Sequence, residues 1–139
     1  MHVRLSDAAR QYIAHFQEIT GATCRDCLIF EARVVMLIAA GEMGTAIGPG
    51  GKHVKAAESE LNTTIELVED ATTPQAFVEN TLAPAASHVT LSEQGDTRVA
   101  YVEVPEGDRG VAIGADGGNI KAARVLAGRH HGIDDIQLT

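Results

Sequence analysis

A twelve-residue segment occurs twice in this chain, and it constrains the fold more than any other feature. Ala46-Ile47-Gly48-Pro49-Gly50-Gly51-Lys52-His53-Val54-Lys55-Ala56-Ala57 returns 66 residues later as Ala112-Ile113-Gly114-Ala115-Asp116-Gly117-Gly118-Asn119-Ile120-Lys121-Ala122-Ala123. Seven of the twelve positions are identical and an eighth exchanges Val54 for Ile120, so the frame I-G-x-x-G-x-x-[V/I]-K-A-A survives intact. A period of 66 residues is too long for a solenoid repeat and suits a duplicated small domain.

Each copy reads as the same series of elements. In the first, Ser6 is placed to cap a helix whose apolar residues Ile13, Phe16 and Ile19 form one stripe, and Gly21 stops it. Strands are expected over Cys24–Phe30 and Arg33–Ala39, then a short helical segment to the Gly48–Gly51 loop. A helix from about Gly51 to Leu61 would bury Val54, Ala57 and Leu61, and Thr63–Val68 would be the closing strand. In the second copy Thr73-Pro74 opens a helix with Phe77, Val78 and Leu82 inward. Strands are expected at Val89–Leu91 and Arg98–Val104 around a Gln94-Gly95-Asp96 turn. A short segment to Ile113, the Gly114–Gly117 loop, a helix burying Ile120, Ala123 and Ala127, and a strand over Ile133–Leu138 follow. The fold class is α+β, with domains 1–71 and 72–139 of αββααβ order. The short join near Asp70–Thr73 predicts that they pack as one rigid unit.

Composition narrows the function classes. Aromatic residues make up 4% of the chain, with no Trp, so the core is aliphatic. The longest apolar run, Val34–Ala40, has strand length, which predicts no membrane span. The opening Met1-His2-Val3-Arg4-Leu5 lacks a signal-peptide core, which points to the cytoplasm. The net charge is −8, but the charge is unevenly spread. Glu58 to Thr97 holds eight acidic residues and no Lys or Arg, whereas all three lysines, Lys52, Lys55 and Lys121, follow the glycine loops. Cys24 and Cys27 lack a second pair, so they read as ordinary reduced cysteines rather than a metal or redox centre. His130-His131 has no ligand partner at suitable spacing and reads as a solvated helix end. His53 reads either as an RNA contact or as simply exposed. Neither a cofactor, a metal nor enzymatic catalysis is expected.

The glycine loops carry the chemistry. Two glycines separated by two residues between helices permit a tight reversal and the close approach of another backbone. N–H groups at the start of the next helix, with its dipole, favour an anion such as phosphate. The Walker pattern fails at Ala46 and at His53, and the dinucleotide fingerprint fails because neither loop leaves a strand with the required spacing. Ile47, Val54 and Ile65, and Ile113, Ile120 and Ile136 in the second copy, are expected to line an apolar groove beside each loop. A phosphate clamp beside an apolar groove suits single-stranded RNA, whose bases can be splayed.

Ile47-Gly48-x-x-Gly51-x-x-Val54 and Ile113-Gly114-x-x-Gly117-x-x-Ile120 resemble the KH domain signature, and the order of elements resembles its type II form. The tandem arrangement, with Thr20-Gly21-Ala22-Thr23, Gly41-Glu42-Met43-Gly44 and Arg129-His130-His131-Gly132-Ile133-Asp134-Asp135, is similar to archaeal NusA-like transcription factors. The resemblance implies a single-stranded RNA-binding factor of transcription elongation or termination, with RNA polymerase as a further partner. The RNA-binding residues it implies are Ile47, Gly48, Pro49, Gly50, Gly51, Lys52, Val54, Lys55 and Ile65 in the first copy. In the second they are Ile113, Gly114, Ala115, Asp116, Gly117, Gly118, Asn119, Ile120, Lys121 and Arg124. Neither loop carries the basic residue common between KH glycines, and Asp116 would stand close to a phosphate; Gly118 replaces Lys52 in the second copy, which favours the first loop, with Arg124 expected to compensate. Ribosome assembly or RNA processing, or a protein-interaction module with vestigial loops, would share this pattern.

Overall fold

Ser6 opens the first helix by accepting a hydrogen bond from the Ala9 N–H at 3.1 Å, and Gly21 closes it in the left-handed region. This helix, α1 (Asp7–Thr20), buries Ala9, Ile13, Phe16 and Thr20 along one stripe. In this computed structural model residues 5–139 are described, so the opening Met1–Arg4, where the absence of a signal peptide was read, lies outside them. The chain divides into a first compact unit that ends at Asp70 and a second that begins at Ala71.

In the first unit α1 is followed by β1 (Cys24–Ile29), β2 (Arg33–Ile38), α2 (Met43–Ile47), α3 (Lys52–Leu61) and β3 (Thr64–Glu69). β2 lies between its neighbours, antiparallel to β1 and parallel to β3. Two neighbouring parallel strands need a crossover, and α2, the glycine loop and α3 are that crossover. The core joins Ile13 and Phe16 of α1 to Val34, Met36 and Ile38 of β2, Ala57 of α3 and Ile65 of β3. Cys24 and Cys27 are free and buried within it. Burial, followed by the neighbouring Cys27 for Cys24 and Asp26 for Cys27, pushes both thiols up to about 12.

The second unit repeats the order as α4 (Pro74–Thr81), β4 (His88–Gln94), β5 (Thr97–Glu103), α5 (Arg109–Ile113), α6 (Gly118–His131) and β6 (Asp135–Leu138). Thr73 caps α4 by accepting from the Ala76 N–H at 3.2 Å, with Pro74 in the first turn. β5 is antiparallel to β4 and parallel to β6. Phe77, Val78, Ala100, Val102, Leu126, Ala127 and Ile136 are wholly buried.

The end of α6 differs from the sequence reading. His130 and His131 are half-buried and sit on Phe77, with ring centroids 5.8 and 4.6 Å apart. Nε2 of His131 lies 3.1 Å from the Ala71 carbonyl, which can only accept, so that nitrogen carries the hydrogen. The pair packs on Phe77, with His131 also tied to the Ala71 carbonyl, and is not a solvated end. Its partner Phe77 is more than 50 positions away in sequence, beyond the reach of local pattern.

Candidate nucleic-acid interface

Both glycine loops adopt the same backbone path. The short helix before each ends at a glycine with φ 74° and ψ 169° (Gly48) or φ 77° and ψ 172° (Gly114). The third loop position has φ 61°, ψ 20° at Gly50 and φ 54°, ψ 28° at Asp116. The fourth has φ 80°, ψ 14° at Gly51 and φ 72°, ψ 16° at Gly117. No pair of angles differs by more than 8°. Gly48 N–H bonds Gly44 and Gly51 N–H bonds Gly48, at 2.9 and 3.0 Å; the second loop makes the matching bonds at 2.9 and 3.1 Å. Asp116 keeps a left-handed conformation that Asp and Asn tolerate better than other non-glycine residues.

The side chains around the two loops differ. Lys52 and Lys55 are exposed on α3, and the Lys55 ammonium arches back to the Gly50 carbonyl at 3.4 Å. Lys121 is exposed at the matching place on α6, while Gly118 stands where the first copy has Lys52. Arg124 does not join them. Its guanidinium pairs with Asp135 at 3.1 Å and donates to the Ile136 carbonyl at 3.0 Å, which holds it against β6. Asp135 in turn is held below the usual carboxylate range, first by the Gln137 side chain, then by the Ile136 N–H and Arg124. The first loop is therefore followed by two exposed lysines and holds no acid among its own four residues, and the second is followed by one lysine and holds Asp116.

The apolar groove is smaller than the sequence suggests. Ile136 is 0% exposed and Ile65 and Ile120 are buried, so these three belong to the core and do not line a surface. The strand explains the correction: on β6 burial alternates, with Ile136 inward and Gln137 outward, and Ile65 likewise faces the helices. What lies open beside the loops is Ile47 at 38% exposure and half-buried Val54 in the first unit, and Ile113 at 40% and Val111 at 53% in the second. The sequence reading missed Val111; its one signal was an apolar residue where the repeat places Thr45. His53 and Asn119, each two residues past the fourth loop position, fold back onto the preceding helix, as described below.

No helix among the described residues is long and apolar enough to cross a membrane. No cluster of three or more His, Cys, Asp or Glu among them could hold a metal ion.

Residues 10–79 match the KH domain family, and residues 74–138 match the NusA-like second KH domain. Over 139 residues the chain is 55% identical to the probable transcription termination protein NusA of Halobacterium salinarum, covering all of both chains. This chain is a tandem KH protein of the archaeal NusA-like family. It is also 52% identical to the protein of that name from Halococcus morrhuae, covering 99% of each chain. Among solved structures, the crystal structure of APE1850 has a TM-score of 0.81 at 30% identity, covering 97% of this chain and 100% of that one. The α+β fold with two KH domains, read from the repeat, is the one observed.

Proposed function

We propose that this protein binds single-stranded RNA through its two glycine loops and acts on transcription elongation or termination in the cytoplasm, alongside RNA polymerase. The observation that carries the reading is a backbone path held to within 8° in both units, each followed by helix-borne lysine in a chain of net charge −8. Helix starts and nearby ammonium groups attract phosphate, and glycine admits the strand closely. Exposed Ile47 with half-buried Val54, and exposed Val111 and Ile113, offer apolar surface for unstacked bases. The relatives' name, probable transcription termination protein, supports the transcriptional role.

Gly50→Asp tests the loop. A Cβ added there meets nothing within 4 Å, and Asp already occupies the same conformation at position 116. Titrating a single-stranded RNA oligonucleotide and its duplex should show a preference for the single strand, and the variant should bind several-fold more weakly. A folded variant with unchanged affinity would remove the first loop from the interface.

A further inference from the structure

One side chain behaves alike in both copies, and the conserved frame of the repeat does not include it. His53 Nδ1 lies 2.7 Å from the Thr45 carbonyl. Asn119, its repeat counterpart, donates from Nδ2 to the carbonyl of Val111, the counterpart of Thr45, at 2.8 Å. Each side chain lies across the first glycine of its loop. A Cβ on Gly48 would come within 2.5 Å of His53 Cγ, and one on Gly114 within 2.8 Å of Asn119 Cγ. Two different residue types thus make the same latch from the new helix back to the old one.

A carbonyl only accepts, so the bond to Thr45 fixes the hydrogen on Nδ1 of His53, and the Asn119 amide supplies the matching donor in the second loop.

We infer that His53 is a positioning residue for the first loop: by tying the start of α3 to the Thr45 carbonyl it holds Gly48–Gly51 in the path that receives an RNA phosphate, as Asn119 does for the second loop. This rests on the RNA-binding reading above. The role asks only for a nitrogen–hydrogen donor of the right reach, so an amide can replace the imidazole at position 53.

The experiment has two parts, both on the full chain. Imidazole ¹⁵N shifts at pH 8 should show His53 as the Nδ1–H tautomer; the Nε2–H tautomer would overturn the latch. Single-stranded oligonucleotide is then titrated, at fixed pH and salt, into wild type, His53→Ala and His53→Asn. His53→Ala should bind several-fold more weakly, and His53→Asn should recover most of that loss, because the second loop already uses Asn. His53→Ala binding as tightly as wild type, or His53→Asn binding no better than His53→Ala, overturns the proposal while leaving RNA binding intact. Absence of wild-type binding overturns the RNA reading itself, and this inference with it.

Discussion

Replacing Gly48 by alanine should cost far more stability than replacing Gly50, although both glycines lie in one loop with positive φ. At Gly48, φ 74° with ψ 169° is a conformation that is essentially glycine's alone, and imposing it on an L-residue costs about 1–3 kcal/mol. The new Cβ would also lie 2.5 Å from His53 Cγ and 2.8 Å from the His53 backbone nitrogen. The ring can swing aside only by giving up its bond to Thr45, worth about 1 kcal/mol. The backbone nitrogen cannot move without shifting the start of α3. The sum is about 2–4 kcal/mol, a large share of a domain's usual margin. At Gly50, φ 61° with ψ 20° is ordinary left-handed backbone and a Cβ meets nothing within 4 Å. There the strain is about 1 kcal/mol, partly offset by the smaller entropy of the unfolded alanine chain. Urea unfolding at pH 7 measures both, from midpoints at unchanged slope. Two variants that differ by less than about 0.5 kcal/mol would refute the claim that His53 and the backbone path together demand glycine at position 48.

Asp116→Gly should tighten single-stranded RNA binding about tenfold, because a carboxylate about 5 Å from a phosphate costs about 1–3 kcal/mol at the surface; unchanged affinity would mean that no phosphate approaches the second loop. With Arg124 engaged by Asp135, three lysines remain near the loops, so the log–log salt slope for a single strand should be about −2; a slope steeper than about −5 would reveal other cations at the interface. Arg124→Ala should cost about 0.5–1 kcal/mol at pH 7, discounted because both partners are partly exposed. Asp135 is held below its ordinary range when folded, so its stabilisation is full above the unfolded carboxylate value of about 4 and is lost as pH falls through the lowered folded value. The Arg124→Ala penalty should therefore shrink in urea melts as pH is lowered stepwise below about 4, and a penalty unchanged down to the point where Asp135 is protonated would assign the loss to the Ile136 hydrogen bond instead. Cys24 and Cys27, buried with thiols pushed up to about 12, should resist iodoacetamide at pH 8 in the native protein and react in urea; rapid native labelling would contradict their burial.

Local pattern made most of the architecture legible. The repeat locates both loops, and three- and four-residue apolar spacing marks α1, α3 and α6. Strand ends were less visible: β4 runs to Gln94, beyond the expected Leu91. Ser92, Glu93 and Gln94 carry no apolar signal, yet they pair with Val99, Arg98 and Thr97 across the hairpin. The errors at the candidate site share one cause, which is contact between elements that local pattern does not encode. Ile65 and Ile136 were assigned to a groove because alternation shows that a strand has two faces but not which face the helices cover. Arg124 looked like a free cation because Asp135 meets it only when β6 returns to α6. His53 looked optional because its partner is a backbone carbonyl eight residues back, which no residue type announces.

The two glycine loops are alike, but the helices that follow them are not. α3 has 10 residues and α6 has 14, so at 1.5 Å per residue they run for about 15 and about 21 Å. Each helix leads from its loop toward the outer strand of its own sheet. A ligand that spans from loop to the far end of the helix must reach about 6 Å further in the second unit than in the first. Duplication therefore left two rulers of unequal length behind nearly identical forks.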